Sequence, residues 1–135
     1  MSRDGDARVQ TETRPPLAAL VQDLFFRSKI TEATRHLGIV ALIEERPEDF
    51  EDAVREERPG IALIDLGLRG VDWPTSVRRL RADPEFATLP IIAFGPHMDL
   101  EARERALAAG CTEFLANSKI ATDLAHIVAR YTTPR

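Results

Sequence analysis

Residues 61–70 read Ile61-Ala62-Leu63-Ile64-Asp65-Leu66-Gly67-Leu68-Arg69-Gly70, or IALIDLGLRG. An unbroken apolar run leads directly into one carboxylate, and a glycine-bearing loop follows. A short run of this kind suits a strand buried on both faces, as in a parallel sheet. Such a strand delivers Asp65 to the edge of the sheet. In open α/β sheets that edge, beyond the carboxyl ends of the strands, is where ligands sit.

The flanking sequence repeats the pattern. Leu17 to Val21 (LAALV) is an apolar run of strand length. Phe26, Ile30, Ala33 and Leu37 then recur at helical spacing, and Gly38 follows as a terminator. Ile39 to Ile43 (IVALI) predicts a second strand, and Pro47 opens a helix with Phe50, Ala53 and Val54 on its apolar stripe. Pro59-Gly60 breaks the chain before the Ile61 to Ile64 strand. Asp72 is placed to cap a helix carrying Trp73, Val77 and Leu80, with Pro74 in its first turn. Ile91 to Phe94 predicts a fourth strand. Asp99 caps a helix running to about Ala109 and stopping at Gly110. Glu113 to Leu115 is a short fifth strand, and Ile120, Leu124, Ile127 and Tyr131 stripe a last helix. Strand and helix alternate throughout, which predicts a parallel sheet with helices on both faces.

Composition bounds the function. The chain has 135 residues, enough for one domain, with 44% hydrophobic and 30% charged residues. The net charge is −4 and there is no long basic block, so no nucleic-acid partner is expected. Apolar runs are too short to span a bilayer, so no membrane partner is expected either. A single cysteine, Cys111, cannot form an internal disulfide, and a reducing, cytoplasmic setting is expected. Residues 1–16 are polar, lack a signal core and end in Pro15-Pro16, which predicts a flexible tail. The domain is placed at 17–131, and residues 132–135 form a short C-terminal tail.

The five strand ends bring candidate residues to one edge. They are Gln22-Asp23, Glu44-Glu45, Asp65, Gly95-Pro96-His97 and Asn117-Ser118-Lys119. Asp23 and Asp65 meet if their strands are neighbours. Two carboxylates make a hard, oxygen-rich site suited to Mg²⁺. A carboxylate beside a metal can also act as a nucleophile toward phosphorus. No histidine pair has zinc-ligand spacing. His97 lies in a loop, and His36 and His126 fall on helices and read as structural. Cys111 reads as a small packed residue.

The span from Leu17 to about Tyr131 resembles the receiver domain of bacterial two-component response regulators. The resemblance rests on IALIDLGLRGVDW, RRLRADPEFATLPIIAF and ALAAGCTEFL. It implies a flavodoxin-like, doubly wound five-stranded parallel sheet in the order 2-1-3-4-5. It also implies that Asp65 accepts a phosphoryl group from a histidine kinase, with Mg²⁺ held by Asp23, Asp65 and the Gly67 carbonyl. Partner contacts, and homodimers, would form through the fourth helix, fifth strand and fifth helix.

The sequence departs from that pattern where the chemistry is done. Gln22 stands for the first of two acids, Gly95 for a hydroxyl residue, and Asn117-Ser118 for Lys-Pro. Arg69 and Trp73 also replace the usual loop proline and glycine. Phe114 fills the place of an aromatic that moves on activation. Phosphoryl transfer depends mostly on positioning and charge stabilisation, so these losses predict a degenerate receiver, or pseudo-receiver. Lys119 or Arg69 could supply a substitute cation. No enzyme activity is expected beyond, at most, self-catalysed phosphoryl transfer to Asp65.

Two partners fit a stand-alone module of this kind, a histidine kinase or a downstream effector. The alternative is a working phosphorelay receiver. A flavin-nucleotide protein of the same topology would want a glycine-rich loop after strand one, where Gln22-Asp23-Leu24-Phe25-Phe26 is bulky. Trp73 either packs beside Val77 or forms an exposed patch. Ala121, Ala125 and Ala129 make a smooth surface, either a partner face or a packed edge.

Overall fold

Residues 14–133 are described by a computed structural model of the chain. Five strands alternate with five helices: β1 (Leu17–Leu20), α1 (Leu24–Leu37), β2 (Ala41–Glu44), α2 (Pro47–Glu57), β3 (Ile61–Asp65), α3 (Trp73–Ala82), β4 (Ile91–Gly95), α4 (Leu100–Ala109), β5 (Glu113–Ala116) and α5 (Asn117–Tyr131). A 3-10 turn at Pro84–Phe86 follows α3. All strand pairs are parallel and the sheet order is β2-β1-β3-β4-β5. The order reverses beside β1, so a crevice opens at the carboxyl ends of β1 and β3.

Side chains along each strand alternate between two cores. Ala18, Leu20, Ala62, Ile64, Ile91 and Ala93 pack with Phe50, Val54, Trp73, Val77 and Leu80 of α2 and α3. Leu17, Ala19, Ile61, Leu63, Ile92 and Phe94 pack with Ile30 of α1 and with Ile120, Leu124 and Ile127 of α5. Burial on both faces is why the runs read as continuously apolar. Each fully buried Leu or Ile contributes roughly 1.5–3 kcal/mol.

Local chemistry moves several boundaries. The second strand begins at Ala41, not Ile39. Gly38 takes a left-handed conformation (φ 71°) as the cap of α1, and the Ile39 N–H bonds back to the Thr34 carbonyl at 3.0 Å. Ile39 therefore belongs to the helix cap. The expected tail also shortens. Pro15 is buried, and the Pro16 carbonyl accepts the Gly60 N–H at 2.9 Å. A Cβ on Gly60 would lie 2.7 Å from Pro15 Cγ, so only glycine fits there. Thr132 is buried, its hydroxyl donating to the Val128 carbonyl at 2.8 Å, so the fold reaches beyond Tyr131. The remainder of the expected tails, residues 1–13 and 134–135, lies outside the described residues.

Among the described residues, no helix is long and apolar enough to cross a membrane.

Candidate functional site

Asp65 is the last residue of β3 and is only 6% exposed. The chain turns immediately after it, and the Gly67 N–H donates to Asp65 Oδ1 at 2.8 Å. No cation pairs with it among the described residues. Burial pushes its carboxyl above the ordinary value of 3.8, the Gly67 N–H pulls the other way, and the nearby Asp23 charge pushes it further up. The site therefore presents an under-compensated carboxylate at the sheet edge.

Asp23 is brought close, as neighbouring strands require, but its carboxylate has a second task. It caps α1, Oδ1 accepting the Phe26 N–H at 3.0 Å, a role the sequence reading did not assign. A cap of this kind is worth about 1 kcal/mol. Gln22 is exposed and ties its Nε2 to the Glu45 carbonyl at 3.2 Å, fastening the β1–α1 loop to the end of β2. Arg27, the nearest cation along α1, pairs with Glu45 at 3.0 Å.

The other expected positions fall as follows. Gly95 ends β4 and is buried, and an added Cβ there would lie 3.2 Å from Phe114 Cε1. Asn117 is not in a loop. Helix α5 starts on it, directly after β5, and its buried Oδ1 has no hydrogen-bond partner. Lys119 therefore sits in the first turn of α5, where Nζ binds Asp123 Oδ2 at 2.6 Å on the exposed surface. That pairing removes it as the substitute cation. Arg69 is exposed and makes no ion pair with Asp65. His97 is exposed in the β4–α4 turn. His36 and His126 lie on α1 and α5, as their spacing predicts, and are exposed.

Trp73 takes the core alternative, buried in the cluster that holds Val77, with the Arg105 guanidinium 5.4 Å from its ring centroid. Cys111 is buried, and burial pushes its thiol up to about 11, as expected of a packed residue. Ala121 and Ala125 line a groove of about 250 Å³ shared with Lys29, Glu32, Ala33 and His36 of α1. This part of the alanine stripe meets α1, the packed-edge reading.

Of the expected divalent-cation donors, Asp23 and Asp65 each keep one carboxylate oxygen free of the bonds to Phe26 and Gly67, and the Gly67 carbonyl is the third. Mg²⁺ is commonly held by one or two carboxylates and several waters, so this set fits a weak, water-rich site. Among the described residues no cluster of three or more acidic, histidine or cysteine ligands exists.

No family model and no curated protein matches the chain. Solved structures do. A candidate response regulator from Chloroflexus aurantiacus superposes with a TM-score of 0.75 at 22% identity, covering 90% of this chain and 98% of that one. Chemotaxis response regulator CheY4 of Vibrio cholerae gives a TM-score of 0.75 at 14% identity, covering 88% and 99%. The fold is that of a receiver domain. A third receiver domain, of sensor histidine kinase PA1611 from Pseudomonas aeruginosa, gives a TM-score of 0.74 at 22% identity, covering 87% and 96%. That structure holds a magnesium ion in its active-site cleft.

Two features of this receiver fold escaped the sequence reading. An apolar rim flanks the Asp65 edge, with Leu24 and Phe25 on one side and Met98 and Leu100 on the other, all exposed. Met98 adopts φ 72°, an uncommon conformation for a long side chain. Away from this edge, Glu51 of α2 is buried between Ser76 and Arg79 of α3. The first has a faint sequence signal in its bulky loop residues. The second has none, because its partners lie 25 and 28 positions away.

Proposed function

We propose that the chain is a receiver-like signalling module that works through protein contacts of its α4–β5–α5 face and accepts phosphate poorly at Asp65. The observation that carries this reading is the setting of Asp65. It is buried, it has one backbone N–H as partner, and its charged neighbour is another carboxylate. A phosphoryl donor brings further negative charge to a place where no side-chain cation is paired with the nucleophile. Charge stabilisation is usually the largest contribution to such a step.

The residues present still define what reaction remains. The carboxylate oxygen not bonded to Gly67 would attack phosphorus, and the bond from phosphorus to the leaving atom would break, the imidazole nitrogen of a phosphohistidine or the carboxylate oxygen of acetyl phosphate. Asp23 and Asp65 would hold Mg²⁺, which supplies charge neutralisation when bound. Asn117 offers an amide N–H in place of an ammonium. The free oxygen of Asp65 beside Asp23 favours the second reading, a working receiver fed by a histidine kinase.

The exposed face carries Glu101, Arg103, Glu104 and Leu107 on α4, a mixed surface suited to a protein partner. A kinase, an effector or a second copy of the chain would dock there. The test is intact mass after incubation with Mg²⁺ and acetyl phosphate, beside Asp65→Asn. Little or no adduct is expected. Rapid, stoichiometric adduct formation that is lost in the control would establish the second reading.

A further inference from the structure

The end of β4 holds a contact that neither reading uses. An ideal Cβ at Gly95 would lie 3.2 Å from Phe114 Cε1, 3.4 Å from Phe114 Cζ and 3.7 Å from Leu66 Cβ. Ordinary carbon contacts lie at about 3.5–4.0 Å. The Phe114 ring therefore occupies the volume in which a side chain at position 95 would stand. Gly95 pairs with Ala116 in the β4–β5 register, and the half-buried Phe114 ring packs against the core under α3 and α4.

The elements that lead into β5 are tied to α3 independently. Arg105 of α4 lies over the buried Trp73 ring of α3. Arg81 of α3 donates through Nε to the Gly110 carbonyl at 2.7 Å and through Nη2 to Thr112 Oγ1 at 3.1 Å, which fixes the α4–β5 turn. Both ties run from α3 to the segments that precede Phe114, α4 and the α4–β5 turn.

We infer that Gly95 is a socket that seats the Phe114 ring and holds the α4–β5–α5 face in one conformation, whatever the charge state of Asp65. This rests on the proposed reading that the face is what partners contact. The physical reason is steric. Asp65 is followed by Leu66, and Leu66 faces Gly95 across an empty Cβ position. Glycine has no side chain through which a displacement at Asp65 or Leu66 would push the ring. A side chain at position 95 would do two things at once. It would press the ring outward by at least a few tenths of an ångström, and it would link the Asp65 loop to β5.

The test is NMR of the full chain, reading nuclear Overhauser contacts between the Gly95 Hα protons and the Phe114 ring, and the backbone amide shifts of α4 and β5. In the parent protein these contacts should be strong, with one set of ring signals. Asp65→Asn should leave them and the β5 amides unchanged. Gly95→Ala should displace the ring and shift the β5 amides. In Gly95→Thr the same Asp65→Asn change should now alter β5. The socket is overturned if Asp65→Asn moves the ring with Gly95 in place, or if Gly95→Ala leaves it where it was. Should Gly95→Thr fail to fold, the other two comparisons decide the matter. Phosphoryl adduct formation with an unmoved ring would overturn the poor-acceptor reading and leave the socket standing. No adduct, but two sets of ring signals in the free protein, would do the reverse.

Discussion

Two buried carboxylates in this molecule have opposite surroundings. Glu51 is 7% exposed and Asp65 is 6% exposed. Glu51 accepts the Ser76 hydroxyl at 3.0 Å and the Arg79 Nη2 at 2.9 Å, with Arg55 at 3.5 Å. Burial alone would raise its carboxyl, but the Arg79 and Ser76 bonds and the two guanidinium charges outweigh that and hold it below the usual 4.5. Asp65 has one N–H and a like-charged neighbour, and it lies above its usual 3.8. Similar exposure thus goes with opposite titration: bonds from Arg79 and Ser76 outweigh burial at Glu51, and burial outweighs the single N–H at Asp65. Glu51 is a fastening between α2 and α3. Asp65 is held ready and unsatisfied, as groups at reaction sites often are.

The largest effect should come from undoing the satisfied member. Glu51→Ala leaves the buried Ser76 hydroxyl and the Arg79 fork without their acceptor and should cost about 1–3 kcal/mol in urea unfolding. Because the folded Glu51 titrates below 4.5, its contribution is present above that pH and is lost as pH falls through the folded value. Glu51→Gln should therefore differ from the parent at neutral pH and converge with it in acid.

Sharpening the comparison means giving Asp65 what Glu51 has. Asn117→Lys adds a cation at the start of α5. It should raise the rate of adduct formation from acetyl phosphate about tenfold, the factor that ~1.4 kcal/mol of charge stabilisation supplies. Removing the unsatisfied charge is the next smaller change. The folded pKa of Asp65 lies above 3.8, so its contribution is complete below that pH and is lost as pH rises through the folded value. Asp65→Asn should stabilise the protein by on the order of 1 kcal/mol at neutral pH. The gain should vanish toward pH 3.8, the reverse of the Glu51 profile. The smallest effect belongs to Lys119→Ala. Its pair with Asp123 is exposed and solvent-screened, so urea unfolding and adduct formation should both stay unchanged.

The layout was legible because each strand is an apolar run bounded by a turn or a cap. Asp72 and Asp99 cap α3 and α4 as their positions in the sequence suggest. The site was legible as a set of strand ends and less so as chemistry. That Asp65 would lie at the edge follows from IALID. That Lys119 would turn outward to Asp123 does not, because it depends on α5 starting at Asn117 without a connecting loop. Asp23 looked free in the sequence because its use as a cap is seen only once α1 is known to start at Leu24. Contacts between distant residues, such as Glu51 with Arg79 and Gly95 with Phe114, leave no local pattern to read.

Among the described residues no cation offsets the charge of Asp65. The direct measurement is an NMR titration of its carboxyl carbon in the metal-free protein. The expected result is a pKa above 3.8, which moves back toward that value in Asp23→Asn. A value below 3.8 would mean that a cation reaches Asp65 in solution, and the poor-acceptor reading would fall with it.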